Sequence, residues 1–172
     1  MLRVERVVCE DWTALRELRL RALEADADAF GSTLADERAR PEAFWLQRIL
    51  RSAWFLAWCA EQAVGVAALV APPGSLTEER QLDAVWVAPA WRGRRVGEAL
   101  IGAAIGHAAV HGATSVSLTV ADSNERARSL YQRMGFRPTG ERSPRPREPH
   151  QMRERFRLTL APAHHHTTPA VK

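Results

Sequence analysis

Two hydrophobic periods interleave along this chain, and their order restricts the folds open to it. Leu82, Ala84 and Trp86 alternate with Asp83, Val85 and Val87 at the two-residue period of a strand, and Pro89 stops the run. Beyond it Val96, Leu100, Ile101, Ala104, Ile105 and Ala108 share one stripe at helical spacing, closed by Gly112. The rest of the chain reads the same way. Leu2, Val4, Val7 and Val8 form a first strand, and a helix runs from Trp12 through Leu15, Leu18 and Ala22 to about Ala29. After a break at Gly31 and Ser32, Pro41 opens a second helix carrying Phe44, Trp45, Leu46, Ile49 and Leu50. "AWFLAWCA" and "AVGVAALVA" are short apolar runs suited to a hairpin of buried strands. "TSVSLTV" alternates as a strand with one polar face. Asp122, Ser123 and Asn124 then cap a helix whose apolar face is Ala127, Leu130, Tyr131 and Met134, with Gly135 at its C-terminal end. Ser143 to Pro149 reads as a loop, and Met152 to Leu160 as a strand with Arg153, Arg155 and Arg157 on a wet face. The order β-α-α-β-β-β-α-β-α-β-β predicts one mixed sheet with helices on both faces.

The 172 residues, 46% hydrophobic and 26% charged, suit a single globular domain over residues 1–160, with 161–172 as a flexible tail. A net charge of +4 fits an anionic ligand, nucleic acid or a membrane surface equally well, so charge alone does not choose. Cys9 and Cys59 stand far apart, which argues against a disulfide framework and a cysteine zinc site. His164, His165 and His166 sit in the tail without a scaffold to hold them, so no metal is expected. Arg3, Glu5 and Arg6 interrupt any signal-peptide core, and no apolar run is long enough for a bilayer; a soluble cytoplasmic protein is expected.

The stretch "VAPAWRGRRVGEAL", Val87 to Leu100, crowds Arg92, Arg94 and Arg95 and the glycines Gly93 and Gly97 at the mouth of a helix. A helix N-terminus presents unpaired N–H groups and the positive end of its dipole, so it attracts an anion before any side chain helps. Glycine lets phosphate oxygens approach the main chain, and the arginines add long-range attraction. The alternative is a solvated basic turn ahead of a surface helix. A nucleoside-triphosphate loop and a Gly-x-Gly-x-x-Gly dinucleotide turn are both absent.

In this context "R-G-R-R-V-G" after "V-W-V-A-P" resembles the acyl-coenzyme A binding motif of the GNAT acetyltransferase superfamily, usually Arg/Gln-x-x-Gly-x-Gly/Ala. Asn124 to Phe136, "N-E-R-A-R-S-L-Y-Q-R-M-G-F", is similar to the same family's Asn-x-x-Ala-x-x-Leu-Tyr-x-x-x-Gly-Phe helix. The resemblance spans about Leu2 to Leu160. It implies an α/β fold with a mostly antiparallel sheet of about seven strands, splayed in the middle and flanked by about four helices. It implies acetyl-CoA as cosubstrate, gripped by main-chain amides from Arg92 to Glu98, with Arg92, Gly93, Arg94, Arg95, Val96, Gly97 and Glu98 as the contact segment. Val85 and Val87 would line the thioester, the Val87 amide facing the oxygen where charge develops; Asn124 and Arg128 would flank the pantetheine. Tyr131, the chain's only tyrosine, falls on the position of the general acid.

Two departures stand out. The first glycine of the motif falls on Arg95, whose side chain can turn aside if its dihedrals are those of an ordinary helix. Gln81 falls where many members carry a carboxylate base, so Asp83, two residues on with the same facing, is the substitute, ahead of Glu79 and Glu78. Phe30, Ser32, Glu37, Phe44 and Trp45 are positioned to wall an acceptor pocket, with Asp36 and Glu37 to attract a cationic amine. The expected reaction is direct acetyl transfer to a small-molecule amine in a ternary complex. A protein N-terminus or lysine as acceptor, and a non-catalytic CoA-binding module, are the alternatives. The partners are therefore acetyl-CoA and an amine, in a monomer or homodimer; nucleic acid is disfavoured because no aromatic platform interleaves with the basic residues.

Overall fold

A strand buried on both faces must send alternate side chains into two different cores. Phe55 and Ala57 do enter one hydrophobic cluster, while Trp54 and Leu56 enter the other. In the computed structural model, which describes residues 1–72 and 78–161, the elements are β1 (Leu2–Arg6), α1 (Trp12–Ala25), α2 (Leu34–Arg38), α3 (Glu42–Arg51), β2 (Ala53–Cys59), β3 (Gln62–Val70), β4 (Glu79–Val87), α4 (Val96–Val110), β5 (Ser115–Ala121), α5 (Glu125–Arg133), β6 (Arg137–Pro144) and β7 (Met152–Thr159). The seven strands form one sheet in the order β1-β2-β3-β4-β5-β7-β6. All neighbours are antiparallel except β4 and β5. One core gathers α4 and the inner faces of β5 and β7. The other gathers α1, α3 and the opposite face of β2 and β3. The histidines of the tail lie outside the described residues.

Two features of β4 create the site. Its parallel pairing with β5 holds only for Glu79 with Ser115, Arg80 with Val116 and Gln81 with Ser117; beyond these the strands part. Its pairing with β3 shifts register between Val66 and Ala68, where Ala84 takes a left-handed φ of 52°. One extra residue reverses the facing of everything after it. Leu82 therefore packs in the α4 core and Trp86 in the α1–α3 core, correcting the uninterrupted alternation that puts both on one face.

α4 rests against β3 at Gly65. A Cβ there would meet Leu100 Cδ1 at 2.9 Å, the Trp86 carbonyl at 3.1 Å and Val96 Cγ1 at 3.1 Å, so its absence lets the first turn of α4 sit close to the sheet.

Three further differences have local causes. α1 ends at Ala25 because Asp26 leaves the helix (φ −139°), and Ala27–Ala29 form a 3-10 turn where the helical period continues in the sequence. α2 is too short to show a period; Thr33 caps it by accepting from the Asp36 amide at 3.1 Å, which makes five α-helices among the described residues. Ser143 and Pro144, expected in a loop, belong to β6, an edge strand with little burial; at an edge, proline costs no ladder bond and no apolar alternation is needed.

Candidate active site

Where β4 and β5 part, two cavities adjoin. The smaller, of about 310 Å³, lies between the two strands, the α1–α2 connection and the loop joining β6 to β7. The larger, of about 900 Å³, lies between the end of β4, the start of α4 and α5. Ala29, Val85, Asn124, Ala127 and Tyr131 line both.

The larger cavity is built on the turn before α4. Gly93 (φ 77°) and Arg95 (φ 61°) both adopt left-handed conformations. The first bond at this end of α4 runs from the Ala99 amide to the Arg95 carbonyl at 3.1 Å. That leaves Val96, Gly97 and Glu98 as the turn whose N–H groups have no acceptor within the helix. Arg95 thus lacks the ordinary helical dihedrals expected of it and stands in a conformation that glycine tolerates, at a cost of roughly 1–2 kcal/mol. Val85, Val87, Arg92, Gly93, Arg95, Val96, Gly97 and Glu98 all line this cavity. The Ala88 amide bonds to the Val64 carbonyl at 2.9 Å, so by strand alternation the Val87 N–H faces away from β3, toward the splay.

Three arginines of the expected contact set are engaged elsewhere. Arg92 donates from Nε to the Val87 carbonyl at 3.0 Å and from Nη2 to Asp26 Oδ2 at 2.6 Å. That carboxylate also accepts from Trp86 Nε1 at 2.7 Å. Burial pushes the Asp26 carboxyl up, but the bonds from Trp86 and Arg92 outweigh it and hold the group below the usual range. Arg94 lies over the Trp91 ring at 5.0 Å and does not border the cavity. Arg128 pairs with Glu154 at 3.2 Å and Asp122 at 3.5 Å, above the Phe156 ring. Arg126 of α5 brings positive charge beside Arg95, and Arg133 also borders the cavity but pairs with Glu98 at 3.6 Å. Their spacing of seven puts both on one helical face, a visible signal, but which face meets α4 is decided by packing.

In the smaller cavity stand Phe30, Gln81, Asp83, Asn124 and Tyr131. Asn124 Oδ1 caps α5 by accepting from the Ala127 amide at 3.1 Å. Tyr131 packs edge-on to Phe136 with ring centres 5.9 Å apart. Burial, and then the charge of Asp83, push its phenol up to about 12. Asp83 is exposed, with Oδ1 accepting from the Ala84 amide at 2.7 Å. Glu79 instead binds Arg155; burial raises its carboxyl, and the bonds from Ser117 and Arg155 bring it below its ordinary value.

Ser32, Glu37 and Trp45 do not reach either cavity. Glu37 is 2% exposed and pairs with Arg19 at 2.7 Å and Arg48 at 3.2 Å, while the Ser32 hydroxyl bonds to the same carboxylate. Burial raises the Glu37 carboxyl, but Arg19 and Ser32, with the charge of Arg48, take it down to about 2. Trp45 is fully buried. Alternating charge and aromatic residues in the sequence cannot distinguish this internal brace from a pocket wall.

A family model, described as the acetyltransferase (GNAT) family, matches residues 12–136. The chain belongs to that family. Solved GNAT structures share its fold. An acetyltransferase of the family from Streptococcus pneumoniae superposes with a TM-score of 0.80 at 16% identity, covering 94% of this chain and 100% of the other. A Salmonella typhimurium protein solved with its cofactor acetyl-CoA gives 0.76 at 18%, covering 100% and 99%. The ribosomal-protein-alanine N-acetyltransferase of Brucella melitensis gives 0.75 at 21%, covering 92% and 99%. No curated protein sequence matches the chain. Among the described residues no helix is long and apolar enough to cross a membrane, and no cluster of three His, Cys, Asp or Glu side chains is arranged to hold a metal.

Proposed function

We propose that this GNAT protein is an acetyl-CoA-dependent N-acetyltransferase that acetylates a primary amine of a small molecule by direct attack in a ternary complex, and that residues 1–160 act as one domain. The reading rests on one observation: the two cavities meet at Tyr131. A long anionic cosubstrate and a small acceptor would share that phenol.

The larger cavity fits the cosubstrate. A Cβ built on Gly97 would touch Leu130 and Val87 at 3.5 and 3.8 Å, so the missing side chain keeps the cradle open. The amides of Val96, Gly97 and Glu98, with Arg95 and Arg126, would hold the pyrophosphate. The same pattern of use is supported by the Salmonella typhimurium neighbour, which carries acetyl-CoA. Acetyl-CoA supplies an activated acyl group, and the chain's residues supply donors and a place for each proton.

The Val87 N–H would donate to the oxygen on which negative charge grows, a fixed donor worth a few kcal/mol in a dry site. A departing thiolate has to be stabilised, and Tyr131 stands at the junction to do it. Its phenol at about 12 against a thiol near 8.5 makes complete transfer uphill by about 5 kcal/mol. Tyr131 therefore serves first as a hydrogen-bond donor to the sulfur; as the C–S bond breaks its proton would pass to the thiolate, and the proton given up by the newly acylated nitrogen would restore the phenol. An alkylammonium, with a pKa of about 10.4, costs roughly 4–5 kcal/mol to deprotonate at pH 7. Asp83, directly or through water, takes that proton. Cys9 and Cys59 line neither cavity, in keeping with transfer that passes through no acyl-enzyme.

Calorimetry with acetyl-CoA, followed by thiol detection over a panel of amines, tests the proposal. Binding together with CoA release for a small amine is expected. Binding without release across small amines and peptides would make the protein a CoA-binding module, and acetylation of peptides alone would move the acceptor to protein.

A further inference from the structure

The smaller cavity carries a charge pattern that the reaction above leaves unused. Its acidic members are Asp28 and Asp83, and its basic members are Arg145, Arg147 and Arg153. Arg145 is committed to its own loop: it pairs with Glu148, reaches Gln151 Oε1 at 3.0 Å and ties the loop to the Asp28 carbonyl at 2.7 Å. Arg147 and Arg153 are different. Arg147 donates to the Gly31 carbonyl at 3.0 Å, and Arg153 to Ser143 Oγ at 3.1 Å. Among the described residues neither forms an ion pair, and neither does Asp28 or Asp83. Two residues along β7 from Arg153, Arg155 is held between Glu79 and Glu141.

A bare alkylamine entering this cavity would face two uncompensated guanidinium charges. A simple anion would face two carboxylates that form no ion pair. A molecule carrying both signs satisfies each. Most of the five N–H donors of a guanidinium remain after a single hydrogen bond, and their fork matches a carboxylate. The cavity's 310 Å³ holds a small molecule. Asp83, on the same cavity, lies close enough to Tyr131 for its charge to act on the phenol.

We propose that the acceptor is a small amine that also bears a carboxylate, of amino-acid type, with its amine toward Asp83 and Tyr131 and its carboxylate held by Arg147 and Arg153. This rests on the transferase reading above and narrows its substrate.

The test compares initial rates of CoA release for the common amino acids, their amides and the corresponding decarboxylated amines. The amide of an amino acid has the more easily deprotonated amine, so chemistry alone favours it; recognition has to overcome that. At least a tenfold higher kcat/KM for an acid than for its amide is expected. Arg147→Gln and Arg153→Gln should each raise KM for the acid about tenfold, with kcat within twofold, and leave KM for the amide unchanged. Arg147 lies on an exposed loop, so its variant keeps the test alive even if Arg153→Gln fails to fold. Amides or plain amines accepted as well as the acids, or variants that shift every acceptor alike, would overturn the assignment and leave the transferase intact. Acetyl-CoA binding with no release from any amine would instead overturn the transferase, and this assignment with it.

Discussion

Arg92 Nη2 stands 2.6 Å from Asp26 Oδ2, so the residue that ends α1 also anchors the turn ahead of α4. Trp86 of the bulged strand bonds to the same oxygen, and Arg92 reaches back to the Val87 carbonyl. One carboxylate on the larger cavity thereby joins the end of α1, the bulged strand β4 and the turn before α4. On the proposed function Asp26 would be a positioning residue, acting on acetyl-CoA through Arg92.

Asp26→Ala should raise the Kd for acetyl-CoA about threefold to tenfold, the scale of a charge-assisted bond discounted for solvent. Calorimetry well below the melting transition separates this from unfolding. Because the Asp26 carboxyl is held below its ordinary value, the bond is complete at neutral pH and is lost only as the pH falls through the carboxylate range. Wild type and variant should therefore converge in affinity toward acid and stay apart at pH 7.

Glu37 gives the sharpest stability prediction. It is buried between Arg19 and Arg48, and removing one partner of a buried pair strands the other charge, at about 3–5 kcal/mol. Glu37→Ala should lose that much in urea unfolding without any change in which amines are accepted. The folded carboxyl sits at about 2 against an ordinary 4.5. A depressed value stabilises the fold above the unfolded pKa and ceases to do so as pH drops from about 4.5 through 2. On the order of 3 kcal/mol is involved, so wild type should lose stability over that window more steeply than the variant.

What the sequence makes legible is local: period, cap and punctuation. Asn124 reads as a helix cap from its residue type and does cap α5, and the strand before Pro89 and the helix from Val96 fall where the periods put them. The bulge at Ala84 is invisible because alanine carries no mark of a left-handed φ; it arises in the pairing with β3. Glu37 and Asp26 look like any acidic residue on a helical segment. Their guanidinium partners lie 18 and 66 positions away, a separation that no period encodes. Arg92 falls on a motif position by sequence, yet its charge is spent on Asp26, and the cavity draws on Arg126, one residue into α5.

Arg95 holds a φ of 61° at the mouth of α4. Glycine relieves a left-handed strain of roughly 1–2 kcal/mol and returns part of it as unfolded-chain entropy. Arg95→Gly should therefore raise stability by about 0.5–1 kcal/mol. If the guanidinium contributes to the pyrophosphate, acetyl-CoA affinity should fall several-fold in the same variant, with the salt dependence of binding becoming shallower. A more stable protein that binds acetyl-CoA more tightly would mean that the side chain obstructs the cradle it borders.

Tyr131→Phe removes one hydroxyl from the meeting point of the two cavities and leaves the ring against Phe136 in place. Its melting temperature should move by no more than a degree or two, while kcat falls about a hundredfold, the range of a lost acid. The pH profile decides how the phenol acts. With its pKa at about 12, Tyr131 stays protonated across the working range, and its neutral form supports the fold below about 10 and ceases to only as pH climbs toward 12. Activity should then rise with pH as the acceptor amine loses its proton, without a descending limb before about pH 10.5. The variant should trace the same shape at a lower level. A wild-type profile that turns down near pH 9, with a variant that does not, would show a phenol ionising in mid-range and would remove the half-buried, neutral donor on which the proposed chemistry depends.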